Sequence, residues 1–179
     1  AHNLPEGIEP GLDADSIFDP TNLVFPAGAH ICVAEVDTET GFVTILKYVA
    51  VDDVGTVINP MIVDGQVVGG VIQGIAEAMF EEAVYDENGQ LLTSSMTNYA
   101  VPAASDVPGV IVGRAETPST SNELGVKGVG ETGTIASPPA VVNAVIDALA
   151  HLGVTDVERP VTPEKVWRAI RQAKGGDGT

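Results

Sequence analysis

Cysteine is nearly missing: the 179 residues include one, Cys32. A single thiol excludes an internal disulfide and any cysteine-built metal cluster within the chain. It lies in the apolar run Ile31-Cys32-Val33, where a buried, inert thiol is expected. Basic residues are scarce as well, 8 Lys and Arg against 25 Asp and Glu, for a net charge of −17. Such a field repels nucleic acid and an anionic membrane surface. Aromatics make up only 4%, so the core has to rest on Val, Ile, Ala and Leu. No apolar run reaches the roughly 18 residues of a membrane-crossing helix, and no charged-then-apolar leader opens the chain. The opening, "AHNLPEGIEPGLDADSIFDP", carries neither Met nor a periodic element. It reads as the middle of a longer polypeptide or as a processed product.

Hydrophobic residues supply 44% of the chain, enough for a real core. The 20 Gly and 12 Pro point to many turns. Residues 1–28 read as an extended lead-in, 29–174 as the folded portion and 175–179 as a flexible tail. Residues 29–37 and 42–53 alternate and are β-branched, with "DTETG" between them, which predicts an antiparallel hairpin. Pro60 suits a first helical turn, and Val68, Val71, Ile72, Ile75 and Met79 recur at helical spacing. Gly65, Gly69, Gly70 and Gly74 are unfavourable inside that helix, so something must approach it closely. "YDENGQLL" carries Asn88-Gly89, a hairpin signal. "VIVGRAET" predicts another strand, and residues 118–136 a long loop. Ser137 and Pro138 suit the entry of a helix that Gly153 ends. Thr162, Pro163 and Glu164 open a terminal helix. The order of strands and helices makes the class α+β.

Within "LGVKGVGETGTIASPPAVVNAV", Gly128, Gly130 and Gly133 take the spacing G-x-G-x-x-G. A dinucleotide turn needs a strand just before it, a helix beginning within it and an acid about 20 residues on. Here Ser119 to Leu124 are polar, and Pro138 and Pro139 place the helix entry past the motif. Asp156 and Glu158 are acids that so acidic a chain supplies by chance. A phosphate loop fits worse, because Lys127 precedes the glycines. The other reading makes the glycines at 125, 128, 130 and 133 a frame. They admit unusual backbone angles and bring N–H groups against a bulky anionic ligand. A carboxylate held in that frame, Glu131, is placed to act as a general base once partly dried against a cofactor. An ordinary solvated surface loop stays open beside that reading.

"GVKGVGE" followed by "SPPAVVNAVIDAL" resembles the carboxy-terminal part of the molybdenum-cofactor subunit of the xanthine dehydrogenase and aldehyde oxidase family. The segment from "FPAGAHICVAEVD" to "VVGGVIQGIAEAMFEE" resembles the preceding part of the same subunit, and "LLTSSMTNYAVPAASDVP" fills the interval. The likeness covers about residues 20–150. It is strongest to the large subunit of aerobic carbon monoxide dehydrogenase-type enzymes. It implies a portion of a molybdopterin-binding domain with hairpins packed on three helices, working in the cytoplasm. It also implies a molybdenum–molybdopterin cofactor in its cytosine dinucleotide form, ligated by the pterin dithiolene and not by protein side chains.

By the same resemblance Glu131 is the catalytic base, and Gln66, Lys127, Gly128, Val129 and Gly130 face the cofactor, mostly through backbone. Gln73 is a weaker candidate that helix packing explains equally well, and Gln66 also reads as a polar residue near a helix start. Asp52 and Asp53 read as turn caps, and His30 and His151 as strand-end and helix-end residues. Cys32 does not match the copper-binding cysteine loop of carbon monoxide dehydrogenases, which lies in a part of the subunit outside this chain. The implied partners are the remainder of the large subunit, iron–sulfur and FAD subunits that carry electrons away, and a small-molecule substrate. Alone, the chain offers one side of the site and is not expected to retain the cofactor. The alternative is a non-catalytic fragment that completes the fold of a larger complex.

Overall fold

The computed structural model describes residues 6–7, 11, 13–20 and 22–175. Residues 13–20 and 22–26 of the expected lead-in carry neither helix nor strand, and tail residues 176–179 lie outside the described residues. Strand β1 (Ala27–Val36) and strand β2 (Val43–Asp53) form the expected antiparallel hairpin. Asp37 closes its turn by accepting from the Glu39 N–H at 2.9 Å and from Thr40 Oγ1 at 2.8 Å. Helix α1 (Pro60–Met79) follows, with Pro60 in the first turn and Asn59 accepting from the Met61 and Ile62 N–H groups. The chain then returns as β3 (Val110–Ala115), which pairs parallel with β2. Thus β2, α1 and β3 make a βαβ crossover inside a three-stranded sheet of order β1-β2-β3, and the class is α+β, as expected.

Helix α2 (Thr132–Leu149) packs on β1 and α1, and a short 3-10 turn (Ala150–Leu152) ends at Gly153 in the left-handed region. Helix α3 (Pro163–Ala173) starts at the expected Thr162 cap. Two apolar clusters result. Tyr48, Ala50, Val67, Val71, Ile75, Ala78 and Val141 fill the space between sheet, α1 and α2. Val43, Val145, Leu149, Val161, Val166 and Ile170 join the end of α2 to α3. The outer face of the sheet stays open: Ile31 is 61% exposed, Val33 44%, Val51 39% and Ile111 50%.

Four details differ from expectation. The buried face of α1 is centred on Val67, Val71, Ile75 and Ala78, while Val68, Ile72 and Met79 are only half-buried. The rotation follows from Gly70 and Gly74, which turn toward α2. The Asn88-Gly89 segment is a tight loop closed by a single bridge, Tyr85 to Leu91, because Asp86 takes the Asn88 and Gln90 N–H groups that a ladder would use. Cys32 is half-buried, not buried, though burial still pushes its thiol up to about 11.

The fourth is that α2 begins at Thr132 and contains Pro138 and Pro139. Each proline removes a backbone donor and crowds the preceding turn. Packing on α1 holds the first turn helical all the same. The chain from Thr132 to Leu152 is the one helix among the described residues long and apolar enough to cross a membrane. Its Val141, Val145 and Leu149 are fully buried, on the face that meets the core.

The glycines explain that packing. A Cβ on Gly133 would stand 2.5 Å from the Val67 carbonyl oxygen and 2.7 Å from the Val71 nitrogen. One on Gly70 would stand 2.9 Å from the Thr134 nitrogen, and one on Gly74 would collide with Ser137 Oγ. Nothing lies within 4 Å of a Cβ placed on Gly65 or Gly69. Backbone therefore meets backbone at the α1–α2 crossing, while the other two glycines face open space. Gly133→Ala is expected to lower unfolding stability by about 1–3 kcal/mol. Gly69→Ala is expected to raise it by about 0.4–1 kcal/mol. Denaturant unfolding of the two variants beside wild type checks both.

Candidate functional site

Strands β2 and β3 are parallel, and their carboxyl ends point to one edge of the sheet. Crevices at such ends are where open α/β sheets hold ligands. Here β2 ends in Asp53, and the chain after β3 runs through Thr117 to the glycine loop. The Asp53 carboxylate gathers this edge together. Its Oδ1 accepts from the Gly55 N–H at 2.9 Å and the Thr117 N–H at 3.1 Å. Its Oδ2 accepts from Thr117 Oγ1 and pairs with Lys127 Nζ at 2.8 Å. Lys127 Nζ also donates to Thr117 Oγ1 at 2.8 Å. With the Lys127 ammonium as the largest influence, these donors hold the Asp53 carboxyl well below the usual carboxylate range.

Backbone bonds complete the junction. The Lys127 N–H donates to the Val54 carbonyl at 2.8 Å, and the Thr56 and Ser119 N–H groups both donate to the Gly125 carbonyl at 3.0 Å. Gly55 and Gly125 take φ values of 66° and 69°, the left-handed region that glycine enters without a Cβ clash. A Cβ on Gly55 would collide with the Gly125 carbonyl oxygen. The loop before the glycine motif is therefore stitched to the end of β2.

Glu131 leaves this junction at the N-cap of α2, and its side chain bonds to no backbone N–H of the helix. It is exposed, as are Gly128 and Gly130, while Val129 packs against the inner cluster. Gln66, exposed on α1, reaches the same place: its Nε2 lies 4.0 Å from where a Cβ on Gly130 would stand. Gly65 and Gly69, beside it on α1, are open. The first-turn N–H groups of a helix lack internal partners. Thr132 Oγ1, in that turn, is buried without a hydrogen-bond partner. An apolar cavity of about 660 Å³ borders the loop between Phe18, Leu23 and Val24 on one side and Leu124, Lys127 and Gly128 on the other.

The structure thus sets Gln66 beside Gly130, the residue before Glu131, while Gly128 lies toward Val24 and Pro26. Lys127 is in the same loop, but its ammonium and its N–H are both engaged within the protein. Gln73 accepts from Thr134 Oγ1 at 3.3 Å, a helix-packing contact. Asp53 caps its turn as expected and also organises the loop, a role invisible in sequence because Lys127 lies 74 positions away. Asp52 is not a cap. It is buried and meets His30 Nε2 at 3.3 Å, while His30 Nδ1 meets the Tyr48 hydroxyl at 2.9 Å. Burial pushes the Tyr48 phenol up, so this chain is a buried polar strut between β1 and β2. His151 is an exposed residue of the 3-10 turn.

The expected reason for excluding a dinucleotide turn needs revision. The helix does begin within the motif, and Gly133 serves the α1 contact. The strand is still missing, since β3 ends at Ala115 and loop occupies residues 116–131. What the site presents is a glycine-lined shelf, a buried hydroxyl without a partner at a helix start and the exposed Glu131 carboxylate. Among the described residues no group of His, Cys, Asp or Glu could hold a metal ion. The glycines and the helix start fit an anionic, hydrogen-bonding cofactor.

Comparison with known proteins agrees with that class. The signature of the molybdopterin cofactor-binding domain matches residues 3–108, and the chain belongs to that family. It is 39% identical to the carbon monoxide dehydrogenase large chain of Hydrogenophaga pseudoflava, over 96% of this chain and 21% of that protein. It is 45% identical to the nicotine 6-hydroxylase large subunit of Paenarthrobacter nicotinovorans, over 93% of this chain and 20% of that one. The fold superposes on quinoline 2-oxidoreductase from Pseudomonas putida 86 with a TM-score of 0.88 at 43% identity, covering 94% of this chain and 22% of that one. For carbon monoxide dehydrogenase from Oligotropha carboxidovorans the TM-score is 0.89 at 38% identity, covering 94% and 21%. The chain spans about a fifth of the length of the curated relatives it matches.

The Asp53 junction carries a pH dependence. A carboxyl whose folded pKa is depressed adds stability that is present above its unfolded pKa and lost as pH falls through the folded one. The stability gap between wild type and Asp53→Asn is expected to stay constant above about pH 5. It should narrow only below the ordinary value of 3.8. Urea unfolding of both proteins from pH 7 down to pH 2.5 checks it.

Proposed function

We propose that this chain is the base-bearing part of a molybdenum-cofactor oxidoreductase, with Glu131 as the catalytic base. The observation that carries the reading is the state of Glu131. It is an exposed carboxylate with no hydrogen-bond partner among the described residues, placed between the Asp53–Lys127 junction and the α1–α2 contact and next to Gly130 and the Gln66 amide. Gln66 and the backbone of Gly128, Val129 and Gly130 would hold the molybdopterin, in its cytosine dinucleotide form. Lys127 would serve the cofactor from behind, by fastening the loop. When bound, the cofactor supplies the two-electron oxidant for a small-molecule substrate. Iron–sulfur and FAD partner subunits take those electrons onward, in the cytoplasm.

The chain's own task is proton management and positioning. A carboxylate oxygen of Glu131 accepts the proton released as the substrate carbon is hydroxylated, which requires hydrogen-bond reach and partial exclusion of water. Gly128 and Gly130 let the cofactor approach the backbone closely, and the positive end of the α2 dipole favours negative charge beside it. The exposed apolar sheet face supports a second reading, in which the chain only completes the fold of a larger subunit.

One substitution separates the two. In the cofactor-loaded enzyme, Glu131→Gln preserves shape and removes the base. Turnover is expected to fall by about 10²–10⁴-fold at unchanged molybdenum and pterin content per protein. Unchanged turnover, or a loss that follows cofactor content, would favour the structural reading.

A further inference from the structure

We infer that Asp53 is a positioning residue for Glu131, acting through a latch that closes on Lys127 and Thr117. The inference rests on the assignment of Glu131 as base. Asp53 touches none of the glycine shelf. It holds the segment that presents Glu131, since Lys127 lies four positions before it and Val129, between them, is packed on the core. Both oxygens of the Asp53 side chain are used, and they join three separate stretches: the β2 end with Gly55, the β3 exit at Thr117 and the loop at Lys127.

The latch is sheltered, with only 14% of the Lys127 side chain and 12% of the Asp53 side chain exposed. A charge-assisted contact there is stronger than a neutral one and poorly screened. It is the side-chain tie on the loop side of Glu131, beside the backbone bond from the Lys127 N–H to the Val54 carbonyl. On the other side, the Gly133 contact with α1 fixes the helix that begins at Thr132. Glu131 is thus held from both directions, on one side by helix packing and on the other by the ion pair together with the Lys127–Val54 backbone bond. A base misplaced by about 1 Å can lose on the order of 10²-fold in rate, so slack in the latch translates into slack at the carboxylate.

The test compares Asp53→Asn, Lys127→Met and the double variant in the cofactor-loaded enzyme, with Glu131→Gln in parallel. For each single variant, kcat per bound molybdenum is expected to fall about 10–100-fold with KM and cofactor content held. Amide exchange should accelerate at Thr117, Ser119 and Lys127 and stay unchanged in α3. The double variant should lose no more than either single one, because the two groups form one device. Faster exchange with wild-type kcat overturns the positioning role. Unchanged exchange overturns the latch, and multiplicative losses in the double variant overturn the shared device. Should Asp53→Asn fail to accumulate, Thr117→Val removes one donor at an exposed residue and is judged by the same criteria. If Glu131→Gln retains turnover, the base assignment fails by itself, and amide exchange alone then decides whether the latch holds the loop.

Discussion

The contact between the backbones of α1 and α2 is the constraint on which the site depends. Gly133 lies against the Val67–Val71 turn, and Gly70 and Gly74 receive Thr134 and Ser137 from the facing helix. Side chains normally keep packed helix axes about 8–10 Å apart; glycine on both surfaces removes that spacer. The closeness brings Gln66 of α1 within reach of Gly130. It also lets α2 begin five residues ahead of Ser137, in spite of two prolines. Glu131 stands at the N-cap because Thr132 and Gly133 are held in helical form by a neighbour, not by their own propensity.

Much of the framework could be read from residue patterns. The β1–β2 hairpin followed from alternation around "DTETG", α1 from Pro60 and the apolar spacing after it, and α3 from Thr162-Pro163. These signals are local, and the structure obeys them. The start of α2 was hidden because prolines ordinarily mark an entry, and only a tertiary contact lets them sit further in. The phase of α1 was off for a related reason. Glycine carries no hydrophobic weight in a periodicity, yet here it faces the most intimate contact. In the site, the motif pointed to Glu131 and to four glycines, of which only Gly125 takes a positive φ while Gly133 serves the helix contact, and Gln66 was suggested by resemblance alone. The role of Asp53 was not, since nothing near it in the chain announces Thr117 or Lys127.

Charge is used unevenly across the molecule. With 8 basic residues against 25 acids, most carboxylates among the described residues have no cationic partner and face water. Lys127 is placed where one cation does most. Exposed pairs such as Arg159–Glu77 and Arg168–Glu164 contribute little, as solvent-facing ion pairs generally do. The buried His30–Asp52–Tyr48 strut is different in kind, since it fixes the two long strands without a lysine or arginine.

The open outer face of the sheet has a colloidal consequence. Ile31, Val33, Val51 and Ile111 form an apolar strip, and β1 and β3 are both edge strands of the sheet. Edges and apolar strips of this kind invite sheet-to-sheet association. A net charge of −17 opposes it by keeping like copies apart, and that repulsion weakens as the screening length shrinks with added salt. Until another surface covers the strip, the dispersal of this chain is therefore governed by ionic strength more than by its fold.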